Sequence, residues 1–393
     1  MDLINSRILI VDDNVKNLQV LGGFLQNAGF QVEFALEGKS AIDWIGRSSF
    51  DLVLLDIMMP GVNGYEVCRS LKSELKNKDL PIIFLTTKSD HESIIEGFSV
   101  GAVDYITKPF IKDELLARVR THLEIKLSRD KLAIYLAEIE EKNRDITASI
   151  QYAKSIQEAM LKTSEPFKLA FPDHFILFLP KDIVSGDFYW FKSVGHVNII
   201  AVMDCTGHGV PGALMSSIGV TLLNESVSHE KILSPDLILE SLREKLIVAL
   251  GQKDYSDKIK DGIEGSVFIF DTTTNYYSVS GSGNPIVQIH NGALIEIKPQ
   301  RIPIGLSEKK SNFVNVPLNV SKNDMLYLFS DGYIDQFGGP LSKRFMIKKL
   351  KAVLSGIHHL STEEQKARLL AEILLWRGDS EQTDDILILG IRL

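Results

Sequence analysis

Carboxylates placed at the ends of apolar runs are the first residues in this chain able to do chemistry. Asp12 and Asp13 follow RILIV, Asp56 follows LVLL, Thr86 and Thr87 end IIFLTT, and Lys108 follows the short run Asp104 to Thr107. Three carboxylates converging in one crevice repel unless a divalent cation joins them. A hard, oxygen-seeking ion such as Mg²⁺ fits that set and neutralises an incoming phosphoryl group. One carboxylate can then act as the nucleophile and form an acyl phosphate. Lys108 would hold a phosphoryl oxygen, and the Thr86 hydroxyl would bond to it on arrival.

A second set lies far downstream. Asp187 sits in SGDFYW, Asp204 in VMDCTGHG, Asp331 in LFSDGYID, and Asp384 with Asp385 in QTDDILIL. One Asp in such a turn usually bonds to its own backbone. Four meeting around two divalent cations do something else. They bridge a water and lower its pKa, which suits in-line attack on a phosphate monoester without a protein nucleophile. Cations that hard choose carboxylate oxygens over His or Cys. His208 can serve as a proton donor to a leaving serine oxygen or as a turn histidine between Gly207 and Gly209. Lys181 can contact a substrate phosphate or stand solvated.

These residues need elements to position them. Arg7 to Val11, Leu52 to Leu55 and Ile82 to Thr86 are Ile/Leu/Val-rich without polar alternation, as parallel strands covered on both faces are. Asn17 to Ala28 and Gly64 to Leu75 have helical spacing. Alternating β and α elements predict a doubly wound parallel sheet, whose site lies beyond the carboxyl ends of the strands. From Pro166 onward strands dominate. They are expected at His174 to Leu179, Val197 to Met203, Ser266 to Asp271, Tyr276 to Ser280, Ile286 to His290, Met325 to Ser330 and Ile386 to Ile391. Helices are expected at Gly212 to Val227, Pro235 to Leu250, Lys343 to Ser355 and Thr362 to Trp376. That mix predicts an α+β domain of two sheets with helices outside.

Between the two regions, Leu116 to Met160 contains neither Gly nor Pro. Leu132, Leu136, Ile139, Asn143, Ile146, Ile150, Ala153, Gln157 and Met160 recur at alternating steps of four and three. This is a heptad seam with Leu136, Asn143, Ile150 and Gln157 at a. It predicts a coiled-coil linker and a homodimer, with Asn143 setting register.

Composition narrows the function. A chain of 393 residues suits two domains and a linker. Its 45% hydrophobic and 24% charged residues are globular rather than disordered. A net charge of −8 works against nucleic acid as a partner. No N-terminal basic-then-apolar stretch and no bilayer-length apolar run are seen, so the expectation is a cytoplasmic protein without membrane partners. Cys68 and Cys205 are expected as reduced thiols.

The motifs ILIVDD, LVLLDIMMPGVNGYE, IIFLTT and DYITKPF, in that order, resemble the receiver domain of two-component response regulators. The resemblance covers roughly the first 120 residues and implies a five-stranded CheY-like sheet. It makes Asp56 the phosphoacceptor, served by a cognate sensor histidine kinase. It assigns Mg²⁺ to Asp13 and Asp56, with Asp12 close by and the Met58 carbonyl as a further ligand. Thr86 and Tyr105 become a switch pair, the ring turning inward as Thr86 moves toward the phosphoryl group.

The segments LPKDIVSGDFYWF, DCTGHGVPGALMS, GSGNPIV, PIGL, FSDGYIDQFGGP and the DD pair resemble the metal-dependent type 2C (PPM) protein phosphatases, in their SpoIIE-like branch. The resemblance implies two Mn²⁺ or Mg²⁺ ions. Asp204 bridges both, with the Cys205 carbonyl as an extra ligand; Asp187 serves one ion, and Asp331 and Asp384 the other. Asp384 is preferred to Asp385 because the first Asp of the pair is the usual ligand. The implied substrate is a phosphoserine or phosphothreonine protein, commonly an anti-sigma-factor antagonist in a partner-switching pathway. Two departures, Leu387 for a common Thr and Glu264 for a frequent Asp, bear on substrate fit and regulation.

The expected division is 1–122 receiver, 123–165 linker and 166–393 phosphatase, with Asp56 controlling the enzyme. The alternative is a catalytically weak module that sequesters a partner when the receiver is phosphorylated. A transcription factor is excluded by the lack of a helix-turn-helix pattern or basic face.

Overall fold

The computed structural model describes residues 3–87, 91–161, 165–252, 261–308 and 311–393. Its contacts divide the chain into two units, residues 1–143 and 144–393.

In the first unit, β1 (Arg7–Val11), β2 (Gln31–Ala35), β3 (Leu52–Asp56), β4 (Ile82–Thr86) and β5 (Asp104–Thr107) form a parallel sheet in the order 2-1-3-4-5. Ile8, Ile10, Leu54 and Ile83 pack on α1 (Val15–Gln26) through Leu18, Leu21 and Leu25. Leu9, Val11, Val53 and Leu55 face the other way, onto α2 (Gly38–Arg47) and α3 (Gly64–Ser73). Both faces are therefore dry, which is why these runs carry no polar alternation. α4 (His91–Ser99) precedes β5.

α5 runs from Lys112 to Leu161, 50 residues. Leu115, Val119 and Leu123 bury its first turns against the sheet. Arg118 donates to Asp104 at 2.7 Å. Residues 128–149 are exposed on all sides. With neither Gly nor Pro to break it, the helix continues without tertiary support. Leu132, Leu136, Ile139 and Ile146 stand in solvent in the isolated chain.

In the second unit, α6 (Glu165–Ala170) precedes two antiparallel sheets. Their strands are β6 (His174–Leu179), β7 (Phe188–Val194), β8 (Val197–Cys205), β9 (Ile263–Asp271), β10 (Tyr276–Ser282), β11 (Ile286–His290), β12 (Ala293–Ile297), β13 (Val316–Pro317), β14 (Met325–Phe329) and, after the β15 (Phe337–Gly338) and β16 (Lys343–Arg344) pair, β17 (Ile386–Arg392). One sheet has the order β13-β10-β9-β8-β7 and the other β12-β11-β14-β17-β6. Alternation assigns the faces. Ile200, Val202 and Phe268 meet Leu326, Leu328 and Leu387 between the sheets. Ile199, Ala201 and Met203 turn outward onto α7 (Gly209–Asn224) and α8 (Pro235–Ala249). Tyr327, Phe329 and Ile388 turn outward onto α10 (Ile347–Ile357) and α11 (Thr362–Arg377), which follow the short α9 (Gly332–Asp335). A sandwich with helices on both outer faces needs apolar residues on both sides of each strand. Leu387 is one such core residue, fully buried.

The helix expected from Lys343 begins at Ile347 instead. Met346, at φ 73°, cannot continue an α-helix. The strand at Phe188–Val194 was not among those expected. Both cysteines are free and buried. Among the described residues, no helix is long and apolar enough to cross a membrane.

Candidate active site

In the first unit the carboxyl ends of the strands bring the expected groups together. Asp12, Asp13 and Asp56 each offer an oxygen, all within 4.8 Å of one another. Asp12 is fully buried and Asp56 nearly so, while Asp13 is exposed. Lys108 lies 2.8 Å from Asp12 and 3.0 Å from Asp56. Burial pushes the Asp56 carboxyl up, and Lys108 opposes that shift. Burial works against the Lys108 charge, yet its two carboxylate partners hold its pKa above the ordinary value. Asn17 bonds both oxygens of Asp12 at 3.0 Å. Thr86 and Tyr105 line one cavity with Phe84 and Phe98, and the Tyr105 ring meets Phe98 edge-on at 6.4 Å. Met58 is exposed beside the site.

In the second unit the acidic residues come near enough to repel one another, although among the described residues only the receiver trio has ligand oxygens all within 4.8 Å. Asp204 is the penultimate residue of β8 and Asp187 precedes β7; these strands pair with Phe188 opposite Met203. Asp331 follows β14, and Asp384 precedes β17, the strand paired to it. Close backbone approach completes the site. A Cβ on Gly212 would lie 2.3 Å from the Gly207 carbonyl and 2.8 Å from Gly186 Cα. A Cβ on Gly332 would meet the Asp385 carbonyl at 1.9 Å. Glycine is the residue that fits at either contact.

Crowding shows in the electrostatics. Burial, reinforced by Asp204, pushes the Asp187 carboxyl well above its usual range. Burial and then Asp331 do the same to Asp204. Asp331 is pushed up to about 6 by burial, with repulsion from Asp335, Asp384 and Glu264. Asp187 Oδ2 is buried and has no hydrogen-bond partner among the described residues. A buried carboxylate oxygen left unpaired is costly, and a cation would answer it. Hard divalent ions suit such an all-oxygen set.

Asp385 has a different task. Its Oδ1 accepts from the Lys181 amide and its Oδ2 from the Gly186 amide, each at 2.7 Å. Both oxygens are therefore used by the backbone of the loop before Asp187. Asp384 accepts from the Asp385 amide at 2.8 Å through Oδ1. Cys205 is a buried thiol whose pKa is raised by burial, an unreactive filler at the side-chain level. Glu264 pairs across the strands with Asp204, and burial raises its pKa.

A model of the response regulator receiver domain matches residues 8–120. A model of stage II sporulation protein E (SpoIIE) matches residues 195–393. The chain belongs to the SpoIIE family. Its sandwich is similar to the SiaA-PP2C domain of Pseudomonas aeruginosa, with 26% identity and a TM-score of 0.59 over 64% of this chain and 98% of that one. It is also 38% identical over 140 residues to the DNA-binding response regulator MtrA of Mycobacterium tuberculosis, covering 36% of this chain and 60% of that protein. A probable cyclic di-GMP phosphodiesterase of Vibrio cholerae is 42% identical over 131 residues, 33% of this chain and 30% of that protein. The chain thus spans less than two thirds of these relatives, and their names describe two different outputs.

This SpoIIE-family response regulator contains site residues that its sequence did not disclose. Lys181 Nζ lies 2.9 Å from His208 Nε2, and His208 Nδ1 lies 2.6 Å from Asp182. Nothing in the sequence singled out Asp182. Gln157, assigned to the heptad seam, is instead buried in its own unit. It donates to the Ser185 carbonyl at 2.7 Å and to Ser216 at 2.9 Å, and accepts from the Ser185 amide at 3.1 Å.

Proposed function

We propose that this chain is a cytoplasmic two-component response regulator in which phosphorylation of Asp56 by a sensor histidine kinase controls a metal-dependent protein serine/threonine phosphatase. The observation that carries this reading is the buried Asp187 Oδ2, without a hydrogen-bond partner among the described residues and beside three further carboxylates. Asp187, Asp204 and the Cys205 carbonyl would hold one divalent ion, and Asp204, Asp331 and Asp384 the other. When bound, Mn²⁺ or Mg²⁺ would supply an acidified water and charge neutralisation for the phosphate.

The remaining work belongs to the chain's own groups. Asp385 holds the loop that presents Asp187 and Lys181. Lys181 receives a phosphate oxygen, and His208 donates a proton to the departing serine or threonine oxygen. The substrate is a phosphoprotein of the anti-sigma-factor antagonist class. In the receiver, Asp12, Asp13, Asp56 and the Met58 carbonyl would hold Mg²⁺. Thr86 and Tyr105 report the phosphoryl group, with Lys108 bonded to it. The functional division is 1–122, 123–165 and 166–393, and two chains associate through the exposed seam from Leu132.

The test is hydrolysis of a phosphomonoester with added Mn²⁺, comparing the native chain with Asp204→Ala and Asp331→Ala, with and without an acyl-phosphate donor. Activity that needs both aspartates and responds to the donor supports the reading. A folded chain inactive in every arm overturns it.

A further inference from the structure

Asp182, His208 and Lys181 form a chain of side chains at one edge of the phosphatase site. Lys181 Nζ stands 2.9 Å from His208 Nε2, and Asp182 Oδ2 stands 2.6 Å from His208 Nδ1. An ammonium group can only donate, and an ionised carboxylate only accept. One tautomer satisfies both contacts: the ring proton is on Nδ1 toward Asp182, and the Nε2 lone pair accepts from Lys181.

The geometry is held from outside. Asp385, 2% exposed, bonds the Lys181 and Gly186 amides and so pins both ends of the loop that carries Asp182. His208 is the N-cap residue of α7, and its side chain makes no capping bond. Gly209, at φ 66°, brings its backbone against Asp182, where a Cβ would lie 3.0 Å from Oδ2.

We propose that Asp182 is a positioning residue for the phosphatase reaction. It fixes the His208 ring through Nδ1 so that Nε2 is the atom presented to the leaving serine or threonine oxygen. Lys181 occupies Nε2 until a substrate phosphate draws the ammonium away. The freed Nε2 then takes a proton from solvent. As the attacking hydroxide forms the new P–O bond and the ester O–P bond breaks, the alkoxide takes that proton, and the ring returns to its Nδ1–H form on Asp182. The inference rests on the phosphatase reading and adds to it a group that acts through His208.

The experiment compares the native full chain with Asp182→Ala and Asp182→Glu, loaded with Mg²⁺. Two substrates are used: a phosphoserine peptide, whose alkoxide needs a proton, and p-nitrophenyl phosphate, whose phenolate does not. The peptide-to-aryl rate ratio should fall on the order of tenfold or more in Asp182→Ala, within the range of general acid catalysis. Asp182→Glu should restore part of it. Nitrogen-15 spectra of histidine-labelled chain, with His208 assigned by His208→Gln, should show Nδ1–H in the native protein and lose that signature in Asp182→Ala. An unchanged ratio in an active enzyme, or a native Nε2–H tautomer, overturns the proposal while leaving the phosphatase reading intact. A native chain that hydrolyses neither substrate overturns both.

Discussion

Gln157 donates to the Ser185 carbonyl at 2.7 Å, two residues before Asp187. The last turn of α5 is thereby tied to the loop that supplies a buried carboxylate. The same amide reaches Ser216 on α7, which begins just past Asp204. Replacing Gln157 with Ala leaves the Ser185 amide and carbonyl without these partners in a buried setting. A loss of roughly 1–3 kcal/mol is expected for a buried group left unsatisfied. Gln157→Ala should melt earlier and bind Mn²⁺ more weakly, as read by thermal shift across a metal titration. Unchanged metal affinity would remove the link from α5 to Asp187.

Lys108 is the cation between Asp12 and Asp56. Lys108→Ala leaves two buried carboxylates facing each other, a change that costs about 3–5 kcal/mol in comparable buried pairs. Mg²⁺ replaces part of the missing charge. The Mg²⁺-induced rise in receiver melting temperature should therefore be larger in Lys108→Ala than in the native chain. A smaller rise would mean that Lys108 is needed to position the carboxylates that hold the metal.

The pKa of Asp331, about 6 against an ordinary 3.8, sets a pH dependence. A carboxyl raised on folding binds more protons in the folded state. The stability of the metal-free phosphatase unit is then lost as pH rises from about 4 toward 6, and stays lower above that. Metal binding runs the other way, because the ligand must be ionised. Mn²⁺ affinity should weaken as pH falls through about 6. Calorimetric titrations at pH 7.5 and 5.5 check this; equal affinities would refute it.

Gly212 and Gly23 make a matched pair. A Cβ at Gly212 would press on the Gly207 carbonyl, whereas at Gly23, within α1, none of the described residues lies within 4 Å. Gly212→Ala should destabilise by about 1–3 kcal/mol, as forced overpacking does, and abolish hydrolysis by pushing away the Gly186 backbone next to Asp187. Gly23→Ala should stabilise the receiver by about 0.8–1 kcal/mol through helix propensity alone. Urea unfolding followed in each unit separates the two effects.

The exposed stripe of Leu132, Leu136, Ile139 and Ile146 carries the dimer prediction. Leu136→Lys with Ile150→Lys should yield a monomer in sedimentation and uncouple phosphatase rate from Asp56 phosphorylation. Control that survives in a demonstrated monomer would disprove the linker's role.

Much of this was legible along the chain. Apolar runs without alternation specified a covered parallel sheet, and Asp12, Asp13, Asp56 and Lys108 marked its carboxyl edge, because strand direction alone decides where such residues emerge. The carboxylates at 187, 204, 331 and 384 were legible for the same reason: each lies in or beside a turn at the end of a strand. Phe188–Val194 was less so: aromatic residues fall on both of its faces, Phe188 and Trp190 buried and Tyr189 and Phe191 partly buried, so its first half shows no polar alternation to read.

Other features came from tertiary structure. Asp182 meets His208 across 26 residues, and Asp385 holds Lys181 across 204. Gln157 fits a heptad equally well as a seam residue or as a buried anchor, and only the fold of the second unit seats it on Ser185. Local sequence encodes period and turn chemistry. Which polar side chain answers which backbone group depends on loops that meet only after the sheets have packed.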